Sequence, residues 1–109
     1  MTNNPKYMET PVLAEQATRD SIEELELLRR LTAHRPDVST AADDLIDSMT
    51  TRVHVLRMIQ IEKYRAEHNL PVDPRREWQL VQDLIWVDEK IANENLVMRA
   101  LLFGEWAEA

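Results

Sequence analysis

Apolar side chains recur along this chain at intervals of three and four residues, the spacing that places them on one face of an α-helix. The first such series follows a capping-box sequence, Ser21-Ile-Glu-Glu24, and contains Ile22, Leu25, Leu28 and Leu31. We predict a short N-terminal helix that ends before Pro36, because the residue preceding a proline avoids the helical conformation. Residues 1–18 are polar, contain two prolines and show no sustained period, so we expect a mobile tail there.

The longest apolar series predicts a second helix from about residue 37 to residue 68. Its apolar positions are Val38, Ala41, Ala42, Leu45, Ile46, Met49, Val53, Leu56 and Ile59. The sequence Asn69-Leu-Pro71 interrupts this pattern. Asp73-Pro74 then restarts a helix, with the aspartate as N-cap and the proline in the first turn.

The third helix is predicted from apolar residues that begin shortly after Pro74. They are Trp78, Val81, Leu84, Ile85 and Ile91. Asn93-Glu-Asn95 contains no Gly or Pro but can cap a helix, so we expect a fourth helix from about Leu96 through Phe103 and Trp106.

These elements predict an all-α fold of three long or medium helices plus a short N-terminal helix, with residues 19–109 forming a single domain. The second helix, at roughly 30 residues, would be about 45 Å long. A compact domain of this size has a diameter of only about 35 Å. The helix would extend beyond its own domain unless another chain covers it, so we expect an interlocked helical dimer.

Composition and charge narrow the class of protein. The chain has no Cys, which excludes disulfides, thiolate metal sites and a Cys nucleophile, and its three His are too scattered for a clustered metal site. It shows neither a long apolar run nor a secretion signal, so we expect a cytoplasmic protein without a membrane partner.

The net charge of −7 argues against nucleic acid as a partner, because phosphate contacts need a cationic face. That charge is unevenly distributed along the sequence. Residues 52–76 hold six cations and three acids, a balance of +3, so the rest of the chain carries −10 (−7 minus +3). A cationic region within an acidic chain suits a small anion better than a polymer.

Two cations interrupt the apolar face of the second helix. Arg52 and Lys63 are eleven residues apart, about three turns, so they point the same way and lie about 16 Å apart along the axis. A buried charge needs a counter-anion, which either internal carboxylates or a bound ligand can supply. Alternatively, both side chains extend to water along the helix surface.

The residues around these cations resemble the all-α chorismate mutases. The resembling segments are Leu45-Ile-Asp-Ser-Met-Thr-Thr-Arg52, Lys63 eleven residues later, and Pro71-Val-Asp73-Pro-Arg-Arg76-Glu77 followed by Leu80-Val81. In that family an Arg follows an apolar pattern, a Lys comes eleven residues later, and an Asp-Pro loop with Arg-Glu opens the next helix. The resemblance covers roughly residues 37–103. It implies rearrangement of chorismate, a small dicarboxylate, to prephenate without a metal or cofactor.

The resemblance also implies roles for individual residues at the substrate. Arg52 would bind a carboxylate through its planar guanidinium, and Lys63 would contact a carboxylate and the ether oxygen, where negative charge develops. Glu77 would accept a hydrogen bond from the ring hydroxyl. Asp73 would either assist Glu77 or only cap the helix.

Further cations would complete the substrate-binding wall. Arg76 matches the family pattern, and Arg75 is a close alternative because the loop here is one residue shorter. The family usually lends another Arg to the site of its partner subunit. Arg35 stands at the corresponding spacing, although Pro36 follows it and favours a loop there.

Two other functions remain open at this point. The same fold and the same anion site would suit a lyase that removes pyruvate from isochorismate. A non-catalytic helical interaction protein, binding another protein through its acidic faces, is the third possibility. The family also places a Ser and a Gln or Glu late in its last helix. The short last helix expected here suggests a weak catalyst, or one that is completed by an activating partner protein.

Overall fold

The structure is a computed structural model that describes the backbone of residues 5–108 and the side chains of residues 10–104. It consists of three α-helices, α1 (Pro5–Leu31), α2 (Pro36–Glu67) and α3 (Pro74–Glu108). Both α1 and α3 pack against α2, which is therefore the central helix. The predicted all-α class is confirmed for the part of the chain that the structure describes.

The C-terminal end of α2 lies where the sequence predicts it, at the Asn69-Leu-Pro71 interruption. Asn69 has a φ of 57°, in the left-handed region that asparagine tolerates better than most residues. The Leu70 N–H donates to the Arg65 carbonyl at 2.8 Å, and the Asn69 N–H donates to the Ala66 carbonyl at 3.4 Å. These two bonds are those of a Schellman motif, which satisfies the last carbonyls of the helix.

The start of α3 is also the predicted one. Pro74 is its first residue, and Oδ1 of Asp73 accepts a hydrogen bond from the Arg75 N–H at 2.9 Å. Asp73 therefore caps the helix, and Pro74 occupies a position where its missing N–H is not needed.

Residues 5–18 are helical, whereas a mobile tail is expected from the sequence of residues 1–18. α1 begins at Pro5, and Ser21, the expected helix start, lies well inside it; residues 1–4 lie outside the described part of the chain. Pro11 is inside the helix, where a proline ordinarily costs about 3 kcal/mol. It is buried, and its carbonyl accepts a hydrogen bond from Nε2 of Gln60 on α2 at 3.5 Å. The packing of Pro11 on α2 thus outweighs the tendency of proline to interrupt a helix.

The prediction of a separate fourth helix from Leu96 is wrong, because α3 continues through Asn93-Glu-Asn95 without a break. The middle residue of that sequence is tied to α2, since Ser48 Oγ donates to Glu94 Oε1 at 2.5 Å. Asn93 and Asn95 are exposed and need no partner in the protein. Without Gly or Pro, a short polar sequence does not end a helix that is packed on both sides of it.

The main core lies between the N-terminal half of α2 and both neighbouring helices. Its buried residues are Val38, Ala41, Ala42, Leu45 and Met98. Leu25 and Leu28 of α1 and Ile91, Leu101 and Leu102 of α3 pack against them. The two alanines add little bulk to α2 and let the helices approach closely where three apolar faces meet.

The three helices form an elongated rod rather than a sphere. Its dimensions are 57 × 23 × 22 Å, and its radius of gyration is 17.4 Å, against about 13 Å for a compact domain of this length. Because α1 and α3 both pack against α2 within one elongated chain, the length of the central helix does not by itself require a second chain. The reason for expecting an interlocked dimer is therefore absent. Among the described residues, no helix is both long and apolar enough to cross a bilayer.

Candidate anion-binding site

Arg52 lies in the middle of α2, at a point where side chains from all three helices meet. Its Nε donates to Oδ1 of Asp88 on α3 at 2.7 Å, and its Nη1 donates to Oγ1 of Thr18 on α1 at 2.5 Å. Nη1 also contacts the Ala14 carbonyl at 3.4 Å. These bonds fix the guanidinium between the outer helices. Among the described residues none accepts from its Nη2 donors.

Asp88 is an internal counter-anion for Arg52. The Arg52 side chain is 24% exposed, whereas that of Asp88 is 47% exposed. A half-exposed ion pair of this kind contributes little net stability, about 0.2–1 kcal/mol, because water screens both charges. Asp88 therefore offsets the charge of Arg52 from within the chain.

A cavity of about 380 Å³ extends from Arg52 to Lys63. Its remaining lining residues are Thr10, Pro11, Ala14, Leu56, Ile59 and Leu84, which come from all three helices. The cavity is thus mainly apolar, with one cation toward each end. The two side chains that the sequence places on one side of the helix line a common space.

A second cavity, of about 340 Å³, lies on the other side of the Arg52 guanidinium. Thr18, Met49, Asp88 and Asn95 are among its lining residues. It contains a carboxylate and no cation besides Arg52. The cavity that contains Lys63 is therefore the better site for an anion.

Glu15 of α1 accepts three hydrogen bonds, two of which come from α2. Its carboxylate accepts from Arg19 Nε at 2.8 Å, Gln60 Nε2 at 3.0 Å and Arg57 Nε at 3.3 Å. The hydrogen bond from Arg19, with those from Gln60 and the charge of Arg57, lowers the pKa of Glu15 below its ordinary value of 4.5, although burial acts in the opposite direction. Glu15 thus joins α1 to α2 next to Pro11 and Ala14.

Replacing Glu15 with glutamine is expected to reduce stability at about pH 7 and to have less effect at about pH 3. A carboxyl group with a lowered pKa in the folded state stabilises the fold above pH 4.5, and that contribution is lost as the pH falls through the lower value. Urea unfolding at both pH values measures the difference. Glu23→Gln, an exposed acid on the same helix, is the control and should change stability by less than about 0.5 kcal/mol. An equal loss for Glu15→Gln at both pH values would contradict this account.

Arg35 lies at the opposite end of α2 from Lys63. Their separation of 28 positions corresponds to about 42 Å along the helix. Its Nη2 donates to Oδ2 of Asp37 at 3.0 Å and to the Leu101 carbonyl at 3.1 Å, and the bond to Asp37 lowers the pKa of that carboxyl. Within one chain Arg35 joins α2 to α3 and cannot reach the cavity.

The candidate residues at the start of α3 also lie outside the cavity. Asp73, Arg75, Arg76 and Glu77 are all exposed, and none of them lines the space between Arg52 and Lys63. Asp73 acts as the helix cap. A substrate role for these four residues stays a prediction.

The contribution of α1 to the site is not predicted from the sequence, because residues 1–18 contain two prolines and show no sustained period. Pro11, Ala14 and Thr18 nevertheless follow one another at intervals of three and four residues, the signal of a helix face. Asp88 is likewise not predicted as the partner of Arg52. No local pattern marks this residue among the other acids of α3.

In comparisons with protein-family models, with curated proteins and with solved structures, no match to this chain was found. Assignment of a function therefore depends on the residue pattern and on the geometry of the cavity.

Proposed function

We propose that this protein binds a small dicarboxylate between Arg52 and Lys63 and that its reaction is the rearrangement of chorismate to prephenate. The observation that carries the binding proposal is that both cations line one mainly apolar cavity. The choice of reaction comes from the resemblance of residues 37–103 to the all-α chorismate mutases.

The electrostatics of the cavity support anion binding. Arg52 is held in place by Asp88 and Thr18, and its Nη2 donors can bind a carboxylate oxygen without displacing either partner. Lys63 supplies a second positive charge at the other end of the same space. Apolar side chains between the cations lower the local dielectric and strengthen the attraction for a charged ligand.

The proposed rearrangement is unimolecular and needs no nucleophile or proton transfer. The carbon–oxygen bond of the ether breaks as a carbon–carbon bond forms, and negative charge grows on the ether oxygen. Arg52 would hold a carboxylate so that the reacting carbons stay close together. Lys63 would place its ammonium group against the ether oxygen and stabilise the transition state.

An assay with the purified chain tests this proposal directly. Loss of chorismate absorbance together with formation of prephenate is the expected result. Salicylate formed from isochorismate would instead identify the lyase. If neither product appears and chorismate does not raise the melting temperature, the proposed function is wrong.

A non-catalytic interaction protein is the second candidate, and two observations favour it. Arg52 already has an internal counter-anion in Asp88, and several large apolar side chains on the outer surface of α3 are exposed. In that case Arg52 and Asp88 would serve only to join α2 to α3. The assay above separates the two candidates, because this alternative predicts no turnover and no stabilisation by chorismate.

Replacing Asp88 with asparagine is expected to tighten dianion binding by about two- to fivefold. This factor corresponds to ~0.5–1 kcal/mol, the net contribution of a half-exposed ion pair. Without the Asp88 carboxylate, an added anion no longer competes with it for Arg52. Isothermal titration with chorismate measures the effect. Asp83→Asn, which removes another acid of α3 outside both cavities, is the control and should leave affinity unchanged. Weaker binding by Asp88→Asn would mean that Asp88 positions Arg52 rather than competing for it.

A further inference from the structure

One exposed face of α3 carries residues at the heptad spacing of a coiled coil. Leu80, Val87 and Met98 are buried against the rest of the protein and define the inner face. On the opposite side, residues follow at alternating intervals of four and three. We call this set the outer seam; it consists of Ile85, Glu89, Ala92, Leu96, Arg99 and Phe103.

The outer seam is exposed along its length. Ile85, Leu96 and Phe103 are 48%, 63% and 57% exposed, although such side chains are ordinarily buried. Glu89 and Arg99 are also exposed, and neither forms an ion pair with a described residue. The seam thus has three large apolar residues at coiled-coil spacing and two opposite charges that form no ion pair with any described residue.

The order of residues in the seam is complementary to itself in the antiparallel direction. When residue i of one helix lies opposite residue 188 − i of another copy, Ile85 meets Phe103, Glu89 meets Arg99, and Ala92 meets Leu96. Each contact occurs twice across a twofold axis, as an isologous interface requires. The centre of this interface is apolar, and an ion pair lies on each side of it.

The alternative registers satisfy the charges less well. A parallel pairing places Glu89 opposite Glu89 and Arg99 opposite Arg99, so that both layers repel. Shifting the antiparallel register by one heptad brings the two Glu89 side chains together near the centre and leaves Arg99 opposite Gln82. Of these registers, only the first pairs Glu89 with Arg99 in both layers.

We propose that the outer seam of α3 is the contact surface of an antiparallel homodimer, with Glu89 of each copy paired to Arg99 of the other. The occupant is a second copy of this chain, because the seam's own sequence supplies the matching charge and the matching apolar residue at every layer. This interface leaves the cavity between Arg52 and Lys63 on a different face of α3. The proposal is therefore independent of the proposed function.

Charge reversal tests the pairing. The wild-type chain of 12.8 kDa is expected to approach twice that mass as its concentration rises, measured by light scattering after size-exclusion chromatography. Glu89→Arg and Arg99→Glu each create two repulsive layers and should weaken dimerisation at least tenfold. The double variant Glu89→Arg/Arg99→Glu restores opposite charges in the antiparallel register and should regain most of the affinity. Glu23→Arg, the same charge change on an exposed position of α1, is the matched control and should leave the dimer unchanged.

Distances between spin labels test the orientation of the two helices. Because the chain has no Cys, one introduced cysteine carries one label per copy. In the proposed register, labels at Asp83→Cys lie about 33 Å apart along the axis and labels at Val97→Cys about 9 Å apart. A parallel dimer would give similar distances at both sites.

The proposal is overturned by any of three results. These are a wild-type chain that stays at 12.8 kDa up to millimolar concentration, a double variant no better than the single variants, or similar label distances at both sites. Circular dichroism of each variant confirms that α-helix content is retained, so that loss of the dimer is not mistaken for unfolding.

Discussion

Replacing Leu45 with alanine is expected to lower the free energy of unfolding by about 3–5 kcal/mol. Leu45 is 1% exposed and lies in the cluster where α2 meets both outer helices. Removing its side chain leaves a cavity that neighbouring alanines cannot fill, so both the lost burial and the empty volume destabilise the fold. A loss of this size is a large part of the total stability of a domain this small.

Urea unfolding followed by circular dichroism measures the effect. Leu31→Ala makes the same chemical change at a position that is 67% exposed, and it should cost less than about 0.5 kcal/mol. Similar losses for the two variants would show that the junction of the three helices is not the main core.

The second large effect is expected at Lys63. Replacing it with methionine, which keeps the length of the side chain but removes its charge, should reduce kcat/KM for chorismate by about 100- to 1000-fold. Loss of one group that stabilises a developing oxyanion has this magnitude in other enzymes. Because Lys63 is only partly buried, the free energy of unfolding should change little.

Arg65→Met provides the matched control for Lys63. Arg65 is a cation on the same helix, its side chain is 50% exposed, and it pairs with Glu62 at 4.0 Å. This variant should keep wild-type turnover and the wild-type melting shift with chorismate. If Lys63→Met kept both properties as well, Lys63 would have no part in the site.

The helix boundaries that could be predicted are those encoded in neighbouring residues. Asp73-Pro74 specifies a helix start because the carboxylate and the missing N–H both act within one turn. Asn69 marks the end of α2 for a similar reason, since the left-handed conformation is a property of that residue. Such signals are local and hold whatever the helix packs against.

The boundaries that could not be predicted depend on contacts between helices. Pro11 is a helix breaker by itself, and only its burial against α2 makes the surrounding helix favourable. The sequence around Glu94 looks like a break until Ser48 is known to bind it. The periodicity of a helix does not report these contacts, because Ser48 is 46 residues from Glu94 and Gln60 is 49 residues from Pro11.

The candidate site also has a part that local sequence predicts and a part that depends on contacts between helices. Eleven-residue spacing on one helix was enough to predict that Arg52 and Lys63 share a side of α2, and both line one cavity. The positions of Arg76 and Glu77 depend on how the loop and α3 return toward α2, and the structure leaves both residues exposed. Asp88 was missed because it pairs with Arg52 across 36 residues of sequence.

The central position of α2 has a consequence for how the chain folds. Residues 32–35 and 68–73 are its connections to α1 and α3, so every packed pair of helices is also consecutive in sequence. Each pair forms a helical hairpin closed by a short turn, and the entropy lost in closing such a turn is small. Either hairpin can form first and then serve as the template for the remaining helix. Low contact order of this kind is typical of helical proteins that fold within microseconds to milliseconds.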